Sequence, residues 1–93
     1  MTRLEQLMVI LIEECAEVQQ ATTKALRFGL YETHNGLAIN VLRLREEVND
    51  LLAVLEMLEA DGIYLSADSI LIQEKKDKVE KYLLYSAKCR MMY

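Results

Sequence analysis

Residues 11–20 read LIEECAEVQQ, and residues 44–53 read LREEVNDLLA. Each stretch sets three carboxylates into a run otherwise suited to burial: Glu13, Glu14 and Glu17 in the first, Glu46, Glu47 and Asp50 in the second. Around the first lie LMVIL upstream and Val18, Ala21 and Leu26 downstream. Apolar residues at three- and four-residue steps identify amphipathic helices. Two helices that place acids where leucines belong set the questions of fold and function together.

The first helix is predicted from about Thr2 to Arg27. Thr2 with Glu5 three residues on fits a capping box, and Gly29 suits a terminator. Its stripe is Leu4, Leu7, Met8, Leu11, Cys15, Val18, Thr22 and Leu26. A loop follows, with Asn35-Gly36 as its turn signal and His34 as a loop residue. The second helix is predicted from about Leu37 to Asp61, with Leu37, Val41, Leu44, Val48, Leu51, Leu52 and Leu55 as its apolar face and Gly62 as its stop. Ser66 or Ser69 caps a third helix that runs to about Arg90 with the stripe Ile72, Val79, Leu83 and Ala87; a short helical turn within 62–68 also fits. Short loops between three long helices predict a single all-α domain over 1–93, an antiparallel bundle.

The chain is 53% hydrophobic yet only 6% aromatic, with no proline. That is more apolar content than a small monomer can cover. Val9 and Ile12 also lie off the main stripe of the first helix. Both features predict that oligomerisation, as a dimer or a dimer of dimers, completes the bundle. The net charge is −4, with basic residues interspersed among acidic ones, so a nucleic-acid footprint is not expected. The N-terminal apolar run stops at Glu13-Glu14, too short for a membrane span or a secretory h-region. Cys15 and Cys89 match no metal or redox spacing and read as reduced thiols. A cytoplasmic protein without membrane or nucleic-acid partners is the expectation.

At 100° per residue, Glu14 and Glu17 share a strip with Ile10 and Ala21, and Glu47 and Asp50 share one with Asn40, Arg43, Val54 and Leu58. Both strips border the apolar faces, while Glu13 and Glu46 turn outward. Acids three apart on a helix are neighbours, about 5–6 Å between Cβ atoms. Antiparallel packing would crowd four carboxylates into one small volume, which calls for a basic partner or a hard cation. Solvated acidic faces look the same by spacing alone. The apolar company of these acids and the duplicated pattern favour the cation. Mg²⁺, which takes oxygen ligands and keeps room for water and phosphate, fits a set of Glu14, Glu17, Glu47 and Asp50. A di-iron bundle would need Glu-x-x-His pairs, and His34 is the chain's one histidine.

Glu13-Glu14-x-x-Glu17, followed after 29 residues by Glu47-x-x-Asp50, resembles the signature of the all-α nucleoside triphosphate pyrophosphatases, the MazG-like superfamily. The resemblance covers nearly the whole chain. It implies a helical dimer or dimer of dimers that cleaves nucleoside triphosphates to monophosphate and pyrophosphate with Mg²⁺, or Mn²⁺ as a substitute. Carried over by motif position, the ligands are again Glu14, Glu17, Glu47 and Asp50. Glu13 and Glu46 become outer or water-orienting groups, and metal-assisted hydrolysis at the α-phosphorus is the implied reaction. Basic residues on the third helix also resemble the family pattern. Lys78 leads as a phosphate contact because it shares a face with Leu71, Tyr82 and Tyr85; Lys75 follows, and Lys24 lies two turns beyond Glu17. Asn40 is a candidate for sugar or base, Arg43 for substrate or for holding the acids in place, and Tyr82 and Phe28 for stacking. Dimeric dUTP-type diphosphohydrolases and phosphoribosyl-ATP pyrophosphohydrolases share the four-acid logic. A non-catalytic helical dimerisation or adaptor module, or a degenerate member that binds nucleotide without turnover, is the competing reading.

Overall fold

A computed structural model describes residues 1–33, 39–65 and 67–91. The chain is all-α, with three helices: α1 (Arg3–Phe28), α2 (Asn40–Ala60) and α3 (Ser69–Met91). The start of α1 follows the sequence closely. Thr2 accepts the Glu5 amide proton on Oγ1 (3.1 Å), and the Glu5 carboxylate accepts the Thr2 amide proton (3.0 Å). Gly29 ends the helix with φ +99°, a left-handed value that side chains resist, and its N–H donates to the Ala25 carbonyl at 2.8 Å.

The helix α2 begins at Asn40, later than the hydrophobic pattern suggests. Ile39 lies in extended backbone opposite Thr33, in an isolated antiparallel bridge. The Asn40 and Val41 amides donate back to the Glu32 and Leu30 carbonyls. These bonds hold Ile39 extended, so that the first helical turn begins at Asn40. The Asn35-Gly36 turn, His34 and Leu37 lie outside the described residues. Gly62 (φ +94°) follows the end of α2 as expected.

The helices α1 and α2 form an antiparallel hairpin. The buried and half-buried residues include two series, Leu7, Leu11, Glu14, Val18, Ala21 and Ala25 on α1, and Asn40, Leu44, Glu47, Leu51, Val54 and Leu58 on α2, with Lys24, Val41, Arg43, Leu55 and Glu59 half-buried beside them. Each series alternates steps of four and three, the narrow seam of a helix with one packed neighbour. This corrects the predicted stripe: Leu4 and Met8 are half exposed, Leu26 is 85% exposed, and Cys15 and Thr22 face outward. The small side chains Ala21 and Ala25 occupy the seam instead, where they allow close helix approach. Leu7, Val54 and Leu58 form the apolar core at one end, with Leu11 and Ile63 packed on it. Outside that core, Arg3 Nε donates to Asp61 Oδ2 at 2.7 Å, and Ile63 N–H reaches the Leu58 carbonyl.

The third helix departs from the predicted bundle. Asp68, rather than Ser69, caps it: Oδ1 accepts the Ile70 and Leu71 amide protons at 2.9 and 3.0 Å. Its negative charge also suits the positive end of a helix. Ser66 lies outside the described residues, and 63–65 and 67–68 are not helical. Among the described residues, α3 packs against neither α1 nor α2. Its stripe is uncovered, with Ile72, Val79 and Leu83 all more than two-fifths exposed. The radius of gyration is accordingly 17.0 Å, against about 12 Å for a compact chain of this length.

Leu58 is wholly buried, so Leu58→Ala should remove about 3 kcal/mol of stability. Urea unfolding of both proteins measures this as a lower midpoint at nearly unchanged slope.

Candidate functional site

The seam carries a carboxylate at its centre on both helices. Glu14 and Glu47 are the third members of their strips, between Leu11 and Val18 on one side and Leu44 and Leu51 on the other. They are half-buried, and Asp50 stands one turn beyond Glu47 on the exposed edge. One carboxylate oxygen from each of Glu14, Glu47 and Asp50 lies within 4.8 Å of the other two. Antiparallel packing therefore brings together three of the four acids the sequence singles out, and puts two of them in the seam rather than at its margin.

The fourth, Glu17, is exposed and outside that trio, but its charge reaches Glu47. Partial burial is the largest influence raising the Glu47 carboxyl above its ordinary value. The negative charges of Asp50, Glu17 and Glu14 add to it, and Arg43 opposes them. Arg43, half-buried, is thus the cation that acts on the cluster. Such an arrangement of oxygens can receive a hard cation or an extended basic group.

The remaining candidates separate into three groups. Glu13 and Glu46 are exposed, and Glu46 shares a shallow surface depression with Leu42, Arg45, Asn49 and Asp50. Lys24 lines another with Ala16, Gln19, Gln20, Thr23 and Arg27, and Arg27 stacks over the Phe28 ring at 5.3 Å. Lys75, Lys78 and Tyr82 sit exposed on α3, which the fold of one chain does not bring to the acids.

Asn40 stands apart from these. It is 1% exposed, and its Nδ2 donates to the Gly29 carbonyl at 2.9 Å. It therefore fastens the start of α2 to the end of α1, inside the hairpin. Its Oδ1 is buried without a hydrogen-bond partner among the described residues. Sequence reasoning missed this role because the predicted second helix began at about Leu37, which put Asn40 within a helical turn rather than at the helix start.

A second division runs along the hairpin. Helical geometry places Glu13, Glu17, Glu46 and Asp50 on one flank of the seam. The opposite flank carries Leu4, Met8, Cys15, Thr22 and Leu26 from α1, and Val48, Leu52 and Leu55 from α2. Leu26, Thr22 and Ala25 line an apolar depression there with Leu30 and Leu44. Cys15 and Cys89 are free thiols, and no described helix is long and apolar enough to cross a membrane.

Because folded Glu47 holds its proton more tightly than the unfolded chain does, its contribution to stability falls as pH rises from the ordinary value of 4.5 through the raised folded value. Glu47→Gln should therefore melt a few degrees higher than the wild type at neutral pH without divalent ions, and the gap should close in acid. Melting temperatures of both proteins across that range measure it; equal values throughout would show that the carboxylate is not under strain. No protein family, curated protein or solved structure matches the chain, so any functional assignment rests on this geometry and on the motif.

Proposed function

We propose that this chain is a Mg²⁺-dependent nucleoside triphosphate pyrophosphohydrolase of the MazG-like kind, working as a homo-oligomer and converting a triphosphate to monophosphate and pyrophosphate. The observation that carries the reading is the meeting of Glu14, Glu47 and Asp50 at the centre of a helix–helix seam. A solvated acidic face would leave such groups outside the seam and further apart.

The donor set fits a hard cation. Glu14, Glu47 and Asp50 each offer a carboxylate oxygen within 4.8 Å of the other two, and carboxylate oxygens are the donors a hard cation takes. Glu14, Glu47 and Asp50 would hold the ion, with Glu17 as the nearby fourth acid. When bound, Mg²⁺ supplies charge neutralisation for the triphosphate and a more acidic water. The chain's own residues supply the rest. Glu46, exposed beside Asp50, is placed to take a proton from water at the rim, and Glu13 has the same role on α1. Arg43 balances the acid cluster and limits its repulsion while it is empty. Lys78, with Lys75 and Lys24, supplies positive charge for phosphate, since catalysis of this class is mainly positioning and charge stabilisation.

One observation favours a second reading. A helix that leaves its whole surface uncovered also suits a non-catalytic dimerisation or adaptor module, or a degenerate nucleotide binder. A panel of nucleoside triphosphates, assayed for pyrophosphate release with Mg²⁺, with Mn²⁺ and with chelator, separates the three. The enzyme releases pyrophosphate with metal and none in chelator. A degenerate member gains thermal stability with Mg²⁺ and nucleotide but turns nothing over, and an adaptor responds to neither. In the active case, Glu47→Gln should lower kcat at least about a thousandfold while keeping its helical content. Near-normal turnover in that variant would remove Glu47 from the site.

A further inference from the structure

We propose that α3 is exchanged between two copies of this chain, the α3 of each lying along the acidic flank of the other copy's α1–α2 hairpin. The docking stands on the observations below; its consequence for the site, a cation supplied in trans, rests on the pyrophosphohydrolase reading.

The first observation is area. A compact monomer of 10.8 kDa exposes roughly 5,500 Å², whereas this chain exposes 7861 Å². The excess, roughly 2,300 Å² per chain, matches what an obligate dimer covers. A 23-residue helix without tertiary contacts among the described residues also has little stability of its own, because most helical stability in proteins comes from a packed face.

The second is charge. The helices α1 and α2 carry nine acidic and five basic side chains, and α3 carries three acidic and six basic ones. The pattern agrees in detail. Leu71, Lys75, Lys78, Tyr82, Tyr85 and Cys89 repeat on α3 the four–three spacing of the two seam strips. Apart from Asn40 the seam is apolar towards its ends, with Glu14 and Glu47 at its centre; this strip has Leu71 at one end, two tyrosines and Cys89 at the other, and two lysines between. Leu71, Tyr82 and Tyr85 are each more than three-fifths exposed. The strip is the positive counterpart of the hairpin's acidic centre.

The third decides between the chain's own hairpin and another's. Asp61 is tied to Arg3, Ile63 is packed on the core, and Leu65 and Ala67 line a surface depression with Leu52, Leu55, Glu56 and Glu59. Those α2 residues face away from Glu47 and Asp50 on the helix. The chain thus enters α3 from the side opposite its own acids, with only four residues between Ile63 and Asp68. The acidic flank within reach of its lysines is that of a second copy.

Two experiments test the exchange in the full-length chain. In a Cys15→Ser, Cys89→Ser background, Glu17→Cys and Lys78→Cys are introduced together and the dilute protein is oxidised. Exchange yields a covalent dimer; a disulfide within one chain, or no disulfide in a folded protein, overturns it. Separately, Glu47→Gln and Lys78→Ala chains, each impaired alone, are mixed and allowed to exchange subunits. Sites built from two chains should regain up to about a quarter of the wild-type rate, because half of the dimers then hold one intact site. No recovery, with mixed dimers shown by mass, overturns the proposal. If the wild type hydrolyses no triphosphate, the function proposed above falls, while the disulfide still decides the exchange.

Discussion

The constraint on which the structure depends is the crowding of Glu14, Glu47 and Asp50 in the space between two packed helices. Every neighbouring position on the seam is apolar, small or amide. Ionised carboxylates there lose part of their hydration and repel one another. Burial and three like charges all raise the Glu47 carboxyl, and Arg43 opposes them. A sequence selected for hairpin stability alone would place leucine at these two central positions. The hairpin keeps its acids because its ends hold it: a leucine-rich core at one end, with Arg3 and Asp61 alongside, and the Asn40–Gly29 bond with two alanines at the other.

The same constraint divides the molecule's surface. Acids collect on one flank of the seam and aliphatic side chains on the other, so the hairpin presents two chemically distinct faces. Neither is covered by α3 in its own chain. The chain is thus half of a packing problem, in which charge belongs with charge and aliphatic surface with aliphatic surface.

Much of this was legible from residues alone. Thr2 and Glu5 announce a helix start because their reciprocal hydrogen bonds need no tertiary help, and Gly29 and Gly62 announce stops because their backbone conformation is one other residues resist. The approach of Glu14 to Glu47 and Asp50 followed from spacing and antiparallel packing. The seam itself was misread. The longest aliphatic series, through Leu4, Met8 and Leu26, looked like the core, but a hairpin with a single packed neighbour closes on its smallest side chains, Ala21 and Ala25. The placement of α3 was illegible for another reason. Apolar residues at 70–72 and 82–85 surround that helix, so periodicity names no single buried face, and the side on which the linker leaves α2 appears only in three dimensions. The bond from Asn40 to the Gly29 carbonyl was not legible, because an amide that can bind a ligand can equally bind a backbone carbonyl, and sequence does not distinguish them.

The two fastenings at the hairpin's ends have a mechanical consequence. A pair of rods pinned top and bottom and pushed apart in the middle behaves as a shallow spring. Repulsion among the acids would push the two rods apart near Glu47, and neutralising them would let the rods close. Amide exchange in the turns around Glu14 and Glu47 would then slow on neutralisation, while the pinned termini, already at rest, would barely register it.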